Sequence, residues 1–320
     1  MNDPKTYLII DTSNFLYKTF FMHIKESLDV NIAICHHVTL QSINKYFRKY
    51  KCDDVILAFD ASSWRKVYTS SPDCITHQKY KGKRRSNLTP TEKERMAKFD
   101  EHIPQFMEMF QTLSSLTVLY RPLLEADDLI AGFIQNHPDD HHIVLSADKD
   151  FMQLLGRNNV TLINPVDDKE RTLKDFDDDP YYFIYQKCFR GDSGDNVMSA
   201  YPRLRETKLK ASYSDPVLRT NLMKHEFTSI VNNEDGSLPS EYDYITEDIF
   251  WENELLMDLT KQPDAIRNMI DDTITQAESN RGRFHYIKFL QYCGKYGLDG
   301  IRDKVDEYVP LLTLNKKKAA

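Results

Sequence analysis

The chain has 320 residues, is 41% hydrophobic and 28% charged, and carries a formal net charge of −7. That composition fits a folded globular protein of one large or two ordinary domains, and no apolar run approaches the ~20 residues of a membrane helix. The five cysteines (Cys35, Cys52, Cys74, Cys188, Cys293) are scattered and form no C-x-x-C pair, and Met1-Asn2-Asp3-Pro4-Lys5 lacks a signal-peptide pattern; a reducing cytoplasm, no structural zinc and no membrane are expected.

In chain order, strands are expected at 7–10, 55–59, 116–120, 143–147 and 160–164. Helical stretches lie between them at 31–50, 90–113 and 125–136. This alternation predicts an α/β fold, a mostly parallel sheet flanked by helices. The helix at 90 has Thr89 as N-cap, Pro90 in its first turn and Glu92 to complete a capping box. Its stripe of Met96, Phe99, Ile103, Phe106, Phe110 and Leu113 is interrupted by Pro104, which should kink or divide it. Beyond 180 helical stretches dominate, at 217–231, 247–259, 263–279 and 282–306. The expected domains are therefore an α/β core, 1–180, and a helical region, 181–320. The acidic run 175–180 reads as a solvated junction, because it lacks the glycine and final glutamate of a calcium loop. No GxGxxG or GxxxxGK[ST] follows any strand.

Acids recur at strand ends. Asp11 follows the first strand, Asp60 the second, and Asp148 with Asp150 the fourth. In an open parallel sheet such ends border the crevice where ligands bind. Crowded carboxylates there call for cations, and hard oxygen ligands suit Mg²⁺ or Mn²⁺. Asp11 alone is as consistent with capping the next helix. Ser13 stands where a haloacid-dehalogenase-type phosphatase needs a second acid, which counts against that chemistry. Glu125-Ala126-Asp127-Asp128 opens a helix whose apolar stripe is Ala126, Leu129, Ile130, Phe133 and Ile134. At about 100° per residue, Glu125 and Asp127 flank the stripe and Asp128 points away, as an outer partner of the metal site. Compensation of the helix dipole, about 0.3–1 kcal/mol per acid, is the alternative. Asp192 and Asp195 sit in Gly191-Asp192-Ser193-Gly194-Asp195-Asn196, whose glycines suggest a tight turn.

Charge is segregated. From Arg65 to Arg85 there are seven basic residues (Arg65, Lys66, Lys79, Lys81, Lys83, Arg84, Arg85) against one acid, Asp73, with Tyr80 among them. Basic groups neutralise phosphates and a tyrosine can stack on a base. A solvated loop is the plain alternative, but long connections of this kind are often binding loops or lids. From Arg281 to Lys304 six basic residues face two acids.

The order of these motifs resembles the flap endonuclease and 5′-3′ exonuclease family, and within it the phage branch of T-even ribonucleases H. The resemblance implies a flap-nuclease core with a helical arch at about 64–100 and a helical C-terminal region. It implies a 5′-nuclease that removes RNA primers and 5′ flaps during replication, with RNase H activity. Two Mg²⁺ (or Mn²⁺) ions are implied: Asp11, Asp60, Glu125, Asp127 and Asp148 around the first, with Asp128 behind them, and Asp150, Asp192 and Asp195 around the second. Tyr80 and Lys81 would contact the scissile region, so that Lys81, Tyr80, Asp127 and Asp148 carry the catalysis. A helix–three-turn–helix element would grip duplex phosphates. The family's glycine-rich hairpin is absent after Asn196, where the chain reads Val197-Met198-Ser199-Ala200-Tyr201-Pro202-Arg203-Leu204-Arg205. Arg203, Arg205, Lys208 and Lys210 are expected to supply phosphate contacts instead.

The implied partners are DNA with 5′ flaps or nicks and RNA–DNA hybrids, with a single-stranded-DNA-binding protein or sliding clamp as docking partners of a monomer. Phage origin would place the chain in the host cytoplasm. Two other classes compete: a non-catalytic nucleic-acid binder of the same fold, and a PIN-type ribonuclease, which leaves the basic segment and helical region unexplained. The apolar stretch 308–314 reads either as a docking peptide or as core.

Overall fold

The computed structural model describes residues 3–83, 88–157, 159–231 and 239–314. The chain begins with β1 (Thr6–Asp11), α1 (Thr12–Met22), α2 (Leu28–Tyr50), β2 (Asp54–Ala58) and α3 (Trp64–Tyr68). There follow α4 (Pro90–Asp100), α5 (Ile103–Leu113), β3 (Thr117–Leu119), α6 (Ala126–Asn136), β4 (His141–Leu145), β5 (Val160–Asn164) and β6 (Lys169–Glu170). Then come α7 (Pro180–Arg190), α8 (Glu206–Ser214), α9 (Pro216–Met223), β7 (Glu226–Val231), β8 (Ser240–Ile245) and α10 (Thr246–Met257). The last elements are α11 (Asp264–Ser279), α12 (Tyr286–Lys295), α13 (Asp299–Arg302) and α14 (Val305–Thr313).

The chain forms two compact units: Met1–Ala61, Leu88–Thr172 and Ala265–Ala320 in one, Ser62–Asn87 and Leu173–Asp264 in the other. The linear division at 180 is thereby corrected. The last helices return to the first unit because their apolar faces are needed there: Phe289, Cys293, Tyr308, Leu311 and Leu312 are buried in its core. The stretch 308–314 is accordingly core rather than a free docking peptide.

The first unit holds a six-stranded sheet of order β3-β2-β1-β4-β5-β6, parallel except for β6. Its central strands are near-continuous apolar runs, as strands covered on both faces must be. Leu8, Ile10, Val55, Leu57, Ile143 and Leu145 join the core that also contains α2, α5, α12 and α14. The opposite face meets α6, where Tyr7 packs edge-on against Phe133 with ring centroids 5.0 Å apart. The chain runs outward from β1 through β2 to β3, then returns to pair β4 on the other side of β1. The carboxyl ends of β1 and β4 therefore flank the topological switch point.

Local signals act as the sequence suggests around Pro90. Thr89 Oγ1 accepts the Glu92 N–H and Glu92 accepts the Thr89 N–H at 2.8 Å. Pro104 lies in the first turn of α5, so the long stripe is divided into α4 and α5. In the second unit the expected helix 217–231 stops at Met223. Residues from Glu226 form an antiparallel ribbon with β8, pairing Phe227 with Tyr244. The aromatic and β-branched residues there pack across strands and override the helical spacing carried over from Leu218 and Leu222.

Candidate active site

The acids of the first unit gather at one end of the sheet. Asp11 ends β1, opposite Ala58 of β2, and Ile10 is level with Leu145 of β4. Asp60 lies two residues beyond β2 and Asp148 three beyond β4, while Glu125 precedes α6. Asp11 is only 3% exposed. Ser146 Oγ donates to Asp11 Oδ2 at 2.9 Å and accepts the Asp148 N–H at 3.0 Å. Asp11 Oδ1 also accepts the Asn14 N–H at 3.2 Å, so the expected helix cap and the site role coincide in one residue. Burial, and then the charges of Asp60 and Asp148, push the Asp11 carboxyl up to about 8 against these two donors. The three acids thus sense one another through a poorly solvated region.

Asp60 is exposed, but its carboxylate is oriented: Oδ1 accepts the Ala126 N–H at 2.8 Å, and its own N–H donates to Ser13 Oγ at 2.8 Å. Asp148 Oδ1 accepts the Asp150 N–H at 2.9 Å, which ties both acids of the Asp-Lys-Asp run into one turn. Glu125 is buried and Asp127 half-buried at the start of α6. Asp128 departs from expectation. It is fully buried and accepts the Glu125 N–H at 3.3 Å. The side of α6 opposite the sheet is covered as well. Gly132, one turn on from Asp128, lies so close to α11 that a Cβ there would run into the Ile270 side chain. Asp128 is therefore a helix cap rather than an outward-facing partner.

All these donors are hard carboxylate oxygens, which fit a Mg²⁺-type ion and not a thiophilic one. Among the described residues no three His, Cys, Asp or Glu side chains already form a group able to hold a metal ion. An ion of this type usually keeps several of its waters and takes only one or two carboxylates directly.

The second unit holds the other two motif acids, and each faces a lysine. Asp192 lies 3.3 Å from Lys187 Nζ and accepts the N–H groups of Gly194 and Asp195 at 2.8 and 3.3 Å. Burial pushes its carboxyl up, but Lys187 and these donors outweigh burial and hold it below the ordinary value. Asp195 Oδ2 accepts the Tyr80 O–H at 3.0 Å and stands 3.7 Å from Lys81 Nζ. Tyr80 is 6% exposed, with its ring in the second unit's core. That corrects its expected role as a stacking platform: the ring is already packed.

Arg65 is corrected too. It is 2% exposed, its Nε donates to the Leu256 carbonyl at 2.7 Å, and its guanidinium lies 4.7 Å from the Trp64 ring. It stabilises the second unit's interior and is shut off from phosphates. Lys79 and Lys83 are exposed, as are Arg203, Arg205, Lys208 and Lys210 at and before α8. Lys210 pairs with Asp177 at 2.7 Å. Arg84 and Arg85 lie outside the described residues.

Sequence reasoning missed Ser146 and Lys187 as site residues. Ser146 had a signal, being two residues before Asp148 at a buried strand end. Lys187 had none, because only the fold of α7 onto the 192–196 turn brings it to Asp192.

A family model described as the 5′-3′ exonuclease, N-terminal resolvase-like domain, matches residues 6–180. The chain belongs to the 5′-3′ exonuclease family. A curated 5′-3′ exonuclease from Aquifex aeolicus is 28% identical to this chain over 203 residues, covering 60% of the chain and 64% of the relative. The chain thus matches less than two thirds of that relative's length. Two solved structures share its fold. The T5 D15 protein co-crystallised with metal ions is 17% identical with a TM-score of 0.61. The bacteriophage T5 D15 flap endonuclease, in a complex with DNA and metal ions, is 16% identical with a TM-score of 0.62. Each covers 86% of this chain and is itself covered over 100% of its length.

Proposed function

We propose that this family member is a Mg²⁺- or Mn²⁺-dependent structure-specific 5′-nuclease. It hydrolyses phosphodiesters with two metal ions, removes 5′ flaps and RNA primers in replication, and cuts the RNA of RNA–DNA hybrids. The observation that carries this reading is the convergence of Asp11, Asp60 and Asp148 at adjacent strand ends, where burial first, and then the charges of Asp60 and Asp148, push the Asp11 carboxyl up to about 8. Such a site favours a bound cation, because a cation restores the Asp11 anion that burial and repulsion disfavour.

Asp11, Asp60, Glu125, Asp127 and Asp148 would hold the first ion, with Asp150 contributing to the second. Bound divalent ions would activate a water for attack and offset charge on the phosphate. The chain's own residues prepare the site. Ser146 holds the Asp11 carboxylate and the Asp148 turn together, and the Ala126 N–H fixes Asp60. Exposed Lys79, Lys83, Arg203 and Arg205 offer positive charge to a phosphate backbone. A single-stranded-DNA-binding protein or sliding clamp would deliver the enzyme to its substrate.

The test is product mapping on 5′-labelled flap, nicked and RNA-primed duplexes across a Mg²⁺ titration. Mg²⁺-dependent release of 5′ products, abolished by EDTA, is expected. Binding of these duplexes without any cleavage would assign the chain to the non-catalytic class.

A further inference from the structure

The basic run that opens at Lys79 is anchored at its root. Tyr80 O–H donates to Asp195 Oδ2 at 3.0 Å, and Lys81 Nζ stands 3.7 Å from the same oxygen. The Lys81 N–H donates to the Asp195 carbonyl at 2.7 Å. Asn196 Nδ2 donates to the Lys79 carbonyl at 2.9 Å. Thr69 Oγ1 accepts the Tyr80 N–H at 3.0 Å. Just upstream, buried Glu252 of α10 accepts the N–H groups of Ile75 and Thr76 at 2.6 and 3.0 Å and the Tyr68 O–H at 3.0 Å. Residues 68–81 are therefore stitched to α10 and to the 192–196 turn, with Thr69, Cys74, Thr76 and Tyr80 buried, while Lys79, Gly82 and Lys83 are exposed.

The backbone at Lys81 is held in an unusual state. Its φ of +56° is left-handed, which a non-glycine residue keeps only where its surroundings impose it. Asp195 imposes it twice, through its carbonyl on the Lys81 N–H and through its carboxylate on Tyr80 and Lys81. Asp195 Oδ2 thus takes an O–H and faces an ammonium from the same segment. The family resemblance gave Asp195 to a metal ion; the contacts of its Oδ2 are with Tyr80 and Lys81.

We propose that Asp195 is a positioning residue that fixes Tyr80 and Lys81, and so sets where the basic run from Lys81 to Lys83 meets a phosphodiester strand. This rests on the nuclease reading for the identity of that strand, but the clamp itself does not. Lys81 would still reach the substrate, and Asp195 would act through it.

Two measurements on the full chain separate the possibilities. The first is hydrogen exchange of the Lys81 amide, which needs no substrate. Tyr80→Phe and Asp195→Asn should each speed it by about tenfold or more, the scale of a lost hydrogen bond to a charged group. Unchanged exchange in both variants would overturn the clamp. The second is steady-state cleavage of 5′-flap DNA against Mg²⁺ concentration. Each variant should raise KM for DNA by roughly five- to tenfold while the Mg²⁺ midpoint stays within about twofold, and the double variant should be no worse than the singles. A large Mg²⁺ shift in Asp195→Asn that Tyr80→Phe does not share would return Asp195 to ion binding and overturn the proposal. If exchange responds as expected but the wild-type chain cleaves nothing, the clamp stands and the nuclease reading falls.

Discussion

Ser146 donates its hydroxyl proton to Asp11 Oδ2 at 2.9 Å while accepting the Asp148 N–H at 3.0 Å, so one small side chain couples the ends of β1 and β4. The hydroxyl stabilises the Asp11 anion against burial and against Asp60 and Asp148. Ser146→Ala should push the Asp11 carboxyl higher still and weaken cation binding. The expected result is a Mg²⁺ midpoint raised by about tenfold, the order reported for partners that orient ligands. A Mg²⁺ titration of cleavage by the variant checks this; an unmoved midpoint would remove Ser146 from the site.

Arg65 and Arg203 should behave oppositely. Arg65 is buried against Trp64 and the Leu256 carbonyl, whereas Arg203 and Arg205 are exposed. Arg65→Ala should cost about 2–5 kcal/mol of stability through lost packing and a lost hydrogen bond, and leave the salt dependence of DNA binding unchanged. Arg203→Ala and Arg205→Ala should each lower the salt slope by about 1 and spare stability. Denaturant melts and binding isotherms at several salt concentrations distinguish the two.

The His137–Glu278 pair links the end of α6 to α11, with Nε2 and Oε1 3.2 Å apart. Burial pushes the imidazole down, but Glu278 and the Phe133 carbonyl, with Asp140 nearby, outweigh it and raise it above 6.5. Lys5, Tyr7 and Arg281 also lie in this region. A histidine raised on folding adds stability that is fully present below pH 6.5 and lost as pH rises through the raised value. Both groups are partly exposed, so the gain is about 0.5–1 kcal/mol. Melting wild type and Glu278→Gln from pH 5.5 to 9 should show a difference that is largest at the acid end and narrows toward the alkaline end, where only Arg281 and Lys5 still attract Glu278.

Gly132 permits the close approach of α6 and α11, since a Cβ there would run into Ile270. Gly132→Ala gains helix propensity of about 1 kcal/mol but overpacks the contact at a cost of typically 1–3 kcal/mol. Net destabilisation is expected in a urea melt. A more stable variant would mean that α11 yields readily.

The sheet was legible because buried parallel strands are plain apolar runs, and every expected strand core from Tyr7 to Ile163 lies in the observed sheet. The acids were legible because they follow those runs directly. What the sequence concealed was partnership at a distance. Asp128 looked outward but is buried as a cap of α6, and Arg65 and Tyr80 looked like phosphate and base contacts until α10 and the 192–196 turn buried them. Helical periodicity past Met223 misled because strands β7 and β8 stabilise each other only once paired. The units could not be read linearly either, since residues 62–87 and 265–320 each fold with sequence-distant partners.

The most direct test of the central claim is cleavage of 5′-flap DNA in Mg²⁺ by Asp148→Asn, with folding checked by circular dichroism. A loss of at least about a hundredfold in kcat at saturating DNA, with DNA affinity retained, is the predicted result. Near-wild-type cleavage by a folded Asp148→Asn protein would contradict it.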